Sequence, residues 1–399
     1  MFNDLLNRYH IAIDEIAIDY NLITSFNNII KKFNFSVLDI LVVTDQNVYP
    51  KIFTLLPLKI NYLILNNPKP DEESIAKIIT ESCDKKVIIG FGSGTINDLC
   101  KISSYRKDIP YIIFASAVSM NGYASKNASI ITSGRKNSLL AHLPKAIYLD
   151  LDLLIDSPVR MIRSGIGDSI CISTCQFDWL LSHLLFGSYY NQEAFDLVSD
   201  LYQKLLDYNG QIKDKEFIIL LAKILINSGI SMAISGGSYP ASQSEHLIAH
   251  YLEIKYPKIM EKSLHGEQVA VTTLTIAKMQ QDFLNSRNFR ANISNTNFNY
   301  FQKIFNEDLA RYFWDEFSHK IINQEKLQII NNRLSNFKEF SAILSKNFVS
   351  YDKILQISNY FSLPKKYSDI HLNKEIYIDA VKNSHLIRNR FTILDLFLK

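Results

Sequence analysis

The sequence has no run of lysine and arginine long enough to form a basic stripe, and 43 basic against 40 acidic residues leave a net charge of only +3. That balance argues against a nucleic-acid partner. Cysteine is scarce: Cys83, Cys100, Cys171 and Cys175 fit no disulfide framework in a chain of 399 residues. A reduced, cytoplasmic protein is the expectation. The opening Met-Phe-Asn-Asp-Leu-Leu-Asn has neither a basic n-region nor an apolar h-region, so no signal peptide is expected. No uninterrupted apolar run approaches the roughly 18 residues that span a bilayer, which excludes a membrane partner at this level. Neither a fixed-period repeat nor a low-complexity linker interrupts the chain.

What is present fits a soluble globular protein with sizeable cores: 47% hydrophobic and 21% charged residues over a length that suggests two domains. Apolar, β-rich runs at 39–44, 61–65, 86–91, 111–115 and 146–151 alternate with helical patterns, notably 71–82 and 95–105. Near-continuous apolar strands with intervening helices predict a parallel sheet covered on both faces. After Asp150 strand signals nearly vanish. Asp156-Ser157-Pro158 reads as a helix start, and helical patterns follow at 192–208, 216–228, 269–282 and 299–317. The expected architecture is an α/β N-terminal domain with a doubly wound parallel sheet, residues 1–156, then an all-α C-terminal domain, residues 157–399.

The densest chemistry lies between Ser242 and Gly266. Ser242 with Glu245 three residues on reads as a capping box opening a helix. His246 and His250 then fall at i and i+4 on one helix face, and His265 follows, so three of nine histidines lie within twenty residues. A surface helix that carries two histidines by chance is the bland alternative. Gly165-Ile-Gly167-Asp168 could be a turn and cap. Yet one carboxylate with two or three imidazoles is the ligand set of a divalent metal with an open position. Asp168, His246 and His265 would supply three ligands and leave room for a substrate oxygen, which such a metal polarises. Cys171 and Cys175, also at i and i+4, are either a soft metal pair or ordinary buried thiols.

Gly90-Phe-Gly92-Ser93-Gly94-Thr95 follows a strand and opens a helix, where glycines allow close backbone approach and a helix N-terminus favours an anion. The run is neither a full dinucleotide fingerprint nor a P-loop; a plain tight strand–helix turn would want the same glycines. The next strand leads into the small, hydroxyl-rich stretch 116–125 at the carboxyl end of the sheet, where ligands bind in such folds, although an ordinary polar loop would read alike.

Taken in order, Gly92-Ser-Gly94-Thr-Ile-Asn-Asp98-Leu-Cys-Lys101, Ser119-Met-Asn121-Gly-Tyr-Ala-Ser125, Arg160-Met-Ile-Arg-Ser-Gly-Ile-Gly167-Asp168, Pro240-Ala-Ser-Gln-Ser-Glu-His246, His265-Gly-Glu and Ile387-Arg-Asn-Arg-Phe-Thr-Ile-Leu-Asp-Leu resemble the sn-glycerol-1-phosphate dehydrogenase family. That family stands with the glycerol dehydrogenases, iron-containing alcohol dehydrogenases and dehydroquinate synthases. The resemblance covers nearly the whole chain; each motif is weak and their order is specific. It implies a zinc-like ion on Asp168, His246 and His265, with Ni²⁺ or Fe²⁺ as the other candidates. It puts His250 and Asn121 beside the substrate, with Asp168, as the residues that carry the catalysis. NAD or NADP would contact Asp45, Gly92, Ser93, Gly94, Thr95, Asp98, Ser116, Ser119 and Ser125, with Asp45 near the adenosine ribose. The implied activity interconverts dihydroxyacetone phosphate and sn-glycerol 1-phosphate, or a related small polyol phosphate, in a homo-oligomer. Three positions depart from the pattern: the family usually has Asp at Asn121, Pro at Val118 and Arg at Tyr239. Two other functions stay open on these residues: a lyase or cyclase like dehydroquinate synthase, and a non-catalytic nucleotide-binding relative.

Overall fold

Four of the expected strands are buried on almost every residue, because helices cover both faces of the sheet they form. In a computed structural model that describes residues 2–132, 135–286 and 289–397, the strands are β1 (Glu15–Asp19), β2 (Ile40–Asp45), β3 (Asn61–Leu65), β4 (Val87–Gly92), β5 (Tyr111–Ala115), β6 (Asn127–Thr132), β7 (Arg135–Leu140) and β8 (Ala146–Asp150). Among the described residues, six make a parallel sheet in the order β1-β8-β5-β4-β2-β3, and β6 pairs with β7 as an antiparallel hairpin. The expected doubly wound sheet is therefore present, and no strand follows β8 among the described residues.

Sheet register puts aromatic side chains side by side. Phe91 of β4 is opposite Phe114 of β5, which is opposite Tyr148 of β8. Their rings stack at 4.4 Å and 4.8 Å, each pair contributing about 0.5–1.5 kcal/mol beyond simple burial. The chain reverses its direction of winding between β2, which continues outward to β3, and β4, which pairs on the other side of β2. Ligands of open α/β sheets bind at the carboxyl ends of strands flanking such a switch.

The chain divides into two compact units: residues 1–169 with 197–237, and 170–196 with 238–399. The boundary read from the sequence, at 156/157, falls inside the first of them. Helical segments beyond it belong with the sheet, among them most of the helix Gln192–Leu206, from Leu197 on, and two others. One is Val159–Ile170, up to Ser169; the other is Lys215–Ile234. The latter is the one helix among the described residues long and apolar enough to cross a membrane by length and composition, a candidate hidden from the sequence reading by its interspersed polar residues. It is a core helix here: 67% of its apolar stretch is buried.

The second unit is helical. A buried carboxylate, Asp178 on the helix Ile172–Phe186, ties its centre together. It accepts from the Ser244 backbone and hydroxyl, from Gln280 Nε2 (3.2 Å) and from the Ile393 backbone N–H (3.1 Å). Burial pushes the Asp178 carboxyl up to about 7 against the opposing pull of those donors. Through it, the starts of two helices, Ser244–Lys255 and Ile393–Leu396, are fixed to the helix His265–Asn285. Two sequence expectations shift here. The 299–317 pattern is two helices, Phe298–Ile304 and Glu307–Ser318, because the Asn306 side chain caps the second by accepting from the Leu309 N–H. The capping box at Ser242 is not formed: the helix begins at Ser244 behind Gln243, and the Ser242 carbonyl accepts from Arg390. Glu245 does reach back, but to the Gln243 N–H at 2.8 Å.

Candidate functional site

In the first unit, the carboxyl edge of the sheet carries most of the residues expected at a nucleotide. Asp45 ends β2 and its Oδ1 accepts from the backbone N–H groups of Asn47 (2.7 Å) and Val48 (3.1 Å). Gly92 ends β4, Ser93 is the N-cap of the helix Gly94–Lys107, and Thr95 lies in its first turn. The glycines differ in role. A Cβ on Gly92 would lie 2.5 Å from Ile96, and one on Gly90 would lie 2.9 Å from Cys100 Sγ, so both serve close strand–helix packing. At Gly94 the nearest atom would be Met120 Cγ at 3.4 Å, which leaves the turn open to an incoming group. Ser116 and Ser119 are buried, and the Ser116 N–H donates to the Gly92 carbonyl at 3.0 Å. Asp98 faces the hairpin, accepting from the Ser129 N–H (2.9 Å) and Asn97 Nδ2 (3.0 Å). Ser125 Oγ accepts from the Asn127 N–H at 3.1 Å.

The 116–125 stretch is no ordinary polar loop. Lys101, fully buried, donates to the carbonyls of Gly122 and Asn127, both at 2.9 Å, and lies 3.8 Å from Asp98. Burial brings its ammonium down to about 8. Ser164 Oγ donates to the Ser119 carbonyl (3.2 Å). Two glycines press helices onto the same stretch: a Cβ on Gly165 would lie 1.9 Å from the Val118 carbonyl oxygen, and one on Gly229 would lie 2.8 Å from that of Asn121. Gly165 and Gly167 are therefore interior residues of the helix Val159–Ile170, not a turn at its start. Asp168, buried near that helix's end, accepts at Oδ2 from the Asn121 N–H (3.0 Å), while Asn121 Nδ2 donates to Ser228 Oγ (3.3 Å).

In the second unit the three histidines meet. Ring centroids are 5.3 Å apart for His246 and His265, 5.6 Å for His250 and His265, and 5.9 Å for His246 and His250. Each Nδ1 faces a carboxylate: His246 at 2.8 Å from Glu245, His250 at 3.1 Å and His265 at 3.5 Å from Glu253. A carboxylate oxygen can only accept, so a proton on Nδ1 makes the hydrogen bonds of His246 and His250, whereas His265 Nδ1 stands at ion-pair distance without a hydrogen bond. Burial holds His250 down at about 3, against Glu253 and with help from Arg388 and His265, so its imidazole is neutral. The donor set suits a borderline divalent ion.

Cys171, Cys175, Glu245 and His246 form a second tight group, with donor atoms within 4.8 Å of one another. Cys175 donates from Sγ to Glu245 (3.0 Å), and burial, with Cys171 beside it, pushes its thiol well above the usual range. As a donor to Glu245 the Cys175 thiol has a partner that an ordinary buried thiol would use, and the same four donor atoms also have the spacing of a soft metal pair. Tyr239 stacks on Trp179 (5.7 Å) and carries the Arg390 guanidinium over its face (4.6 Å), so a cation stands beside the position where the resemblance has Arg. Glu253 was not expected from the sequence, Glu245 was expected only as a capping partner, and Lys101 appeared only as the end of a family motif with no role. The signal for Glu245 and Glu253 was their place on the histidine helix, one residue before His246 and three after His250.

Residues 17–158 match the family model of iron-containing alcohol dehydrogenases. The chain is 31% identical over 276 residues to the glycerol-1-phosphate dehydrogenase [NAD(P)+] of Pyrococcus horikoshii, covering 66% of this chain and 77% of that protein. It is 37% identical over 193 residues to the protein of the same description from Thermococcus sibiricus, 48% of this chain and 54% of that one. Among solved structures, a probable glycerol dehydrogenase from Sinorhizobium meliloti aligns with a TM-score of 0.63 at 13% identity, over 97% of this chain and 92% of that one. Sulfoacetaldehyde reductase from Bifidobacterium kashiwanohense aligns at 0.62 with 13% identity, over 96% and 95%; these two likenesses speak to fold alone. The relationship to the Pyrococcus protein, the family-model match and the ordered motifs agree: the chain belongs to the glycerol-1-phosphate dehydrogenase family, among the iron-containing alcohol dehydrogenases.

Proposed function

We propose that this chain is a metal-dependent, NAD(P)-linked oxidoreductase that interconverts dihydroxyacetone phosphate and sn-glycerol 1-phosphate. The observation that carries it is the histidine group, His246, His250 and His265, whose ring centroids lie 5.3–5.9 Å apart and whose Nδ1 atoms lie 2.8–3.5 Å from buried carboxylates. Asp168, His246 and His265 are the ligands of one divalent ion, and Zn²⁺ suits one carboxylate with two imidazoles best. When bound, such an ion polarises a carbonyl oxygen as a Lewis acid. The four free cysteines accord with a reducing, cytoplasmic setting.

The chain's own residues do the rest. The turn from Gly92 to Thr95 receives the pyrophosphate on a helix N-terminus, with Asp45, Asp98, Ser116, Ser119 and Ser125 around the dinucleotide. His250 Nε2 accepts the hydroxyl proton when the alcohol is oxidised and, as an imidazolium backed by Glu253, returns it to the oxygen when the ketone is reduced, directly or through water. Asn121 contacts the substrate hydroxyls while its backbone N–H orients Asp168. An assay of NADH and NADPH oxidation against small phosphorylated ketones, with Zn²⁺, Ni²⁺ or Fe²⁺ added, tests the reading. Turnover of dihydroxyacetone phosphate is expected. No turnover by protein shown to hold metal and cofactor would overturn it, and phosphate release would mark lyase chemistry instead.

Two substitutions sharpen the assignment. Gly94→Val fills the one glycine of the turn whose Cβ direction is open. Calorimetric affinity for NAD(P)H should fall by about an order of magnitude or more, with the melting temperature held, because the lost space is the pyrophosphate's. Equal affinity would put the dinucleotide elsewhere. Asn121→Asp should raise kcat/KM for dihydroxyacetone phosphate about fivefold: a charge-assisted bond to a substrate hydroxyl exceeds a neutral one by about 1 kcal/mol. Ser228 can reverse its hydrogen bond and donate to the new carboxylate. An unchanged or lower kcat/KM would mean that Asn121 serves a different substrate.

A further inference from the structure

We infer that Glu245 and Glu253 are the positioning residues of the histidine group: one carboxylate aims His246, and the other aims His250 and His265 together. This rests on the metal reading above and goes beyond it to the residues that shape the ligands. Both carboxylates are buried on the histidine helix, Glu245 at 0% and Glu253 at 7% exposure, where an unneeded charge is costly. Glu245 is itself held from three sides. Its Oε1 accepts from the Gln243 N–H (2.8 Å) and Cys175 Sγ (3.0 Å), and its Oε2 from Thr174 Oγ1 (3.1 Å). Those bonds fix the carboxylate in the position that binds His246 Nδ1 at 2.8 Å. They also give the polar residues of the helix Ile172–Phe186 a purpose: Thr174 and Cys175 face Glu245 as donors.

Glu253 divides its oxygens. Oε2 is hydrogen-bonded to His250 Nδ1 at 3.1 Å, and Oε1 stands at ion-pair distance, 3.5 Å, from His265 Nδ1, close enough to become its acceptor with a small ring rotation. The two rings lie nearly parallel, 17° apart. Glu253 thus links a proposed metal ligand to the proposed acid–base residue, whereas Glu245 serves a ligand alone. The two carboxylates therefore have different signatures. Loss of Glu245 should weaken the metal only. Loss of Glu253 should weaken the metal and also lower kcat when the metal site is saturated.

The test is Zn²⁺ affinity of the full chain, measured by competition with a chromophoric chelator, and kcat at saturating Zn²⁺, for parent, Glu245→Gln and Glu253→Gln. Glutamine is nearly isosteric but offers an N–H where the imidazole needs an acceptor, so it favours the wrong tautomer. Both variants should bind Zn²⁺ about 10–100-fold more weakly, the usual cost of losing such a partner. Only Glu253→Gln should lose kcat at saturation, and Glu253→Asp should recover part of both losses. Should Glu245→Gln not fold, Thr174→Val removes one of the bonds that hold Glu245, and Zn²⁺ affinity should fall about threefold or more. Folded variants that bind Zn²⁺ within about threefold of the parent, with kcat unchanged, overturn the inference. A parent chain that binds no Zn²⁺, or a His265→Ala variant that binds it as well as the parent does, overturns the metal reading instead.

Discussion

Replacing His265 with alanine is expected to strip the chain of its divalent ion while leaving it folded. His265 opens the helix His265–Asn285, and its side chain is 26% exposed, so little packing is lost with the ring. What is lost, on the proposed ligand set, is one of three protein ligands, and a two-ligand site no longer competes with water for zinc. The Lewis-acid contribution is several kcal/mol. Taking about 4 kcal/mol, turnover should drop roughly a thousandfold. Elemental analysis after dialysis should give a metal content near zero for the variant, with a melting temperature close to the parent's. Full metal content in the variant would remove His265 from the site.

The second large effect is structural. Gly165→Ala would ordinarily help, because alanine exceeds glycine by about 1 kcal/mol inside a helix. Here the added Cβ would lie 1.9 Å from the Val118 carbonyl oxygen and 3.2 Å from Leu225 Cδ1. The first obstacle is backbone and cannot rotate away. Either the helix Val159–Ile170 or the loop it presses on must move, at the upper end of the roughly 1–3 kcal/mol that overpacking costs, or beyond it. The loop is the softer partner, and it holds Ser119 and Asn121. The variant should therefore melt several degrees lower and lose substrate and cofactor affinity with it. A melting temperature at or above the parent's would show that the contact is not as tight as the geometry makes it.

The parallel sheet was readable because its central strands are apolar throughout and punctuated by helices with clear caps, such as Asp71 before Glu72–Glu81. Strand β1 escaped because Glu-Ile-Ala-Ile-Asp is short and charged at both ends, as suits the sheet edge it occupies. The hairpin of β6 and β7 escaped for a similar reason: Asn127–Thr132 and Arg135–Leu140 are mostly polar, and their pairing is with each other. His246 and His250 were legible through helical spacing, and His265 through its nearness to them. The setting of Asp168 was not, because Gly165-Ile-Gly167 reads as a turn in one dimension. Only the Val118 carbonyl, 47 residues from Gly165 in sequence, explains why glycine sits in that helix. The roles of Lys101 and Glu253 were illegible for the opposite reason: each looks like one more surface charge until its burial and its partners are known.

The central claim is that one divalent ion, held by Asp168, His246 and His265, is required for reduction of dihydroxyacetone phosphate. The most direct measurement is a titration of the metal-free chain with Zn²⁺, following NAD(P)H oxidation in the presence of that ketone. Activity should rise from near zero in proportion to added Zn²⁺ and level off at one equivalent per chain, with His265→Ala flat throughout. Activity that is already complete without metal, or that ignores the loss of His265, would contradict the account.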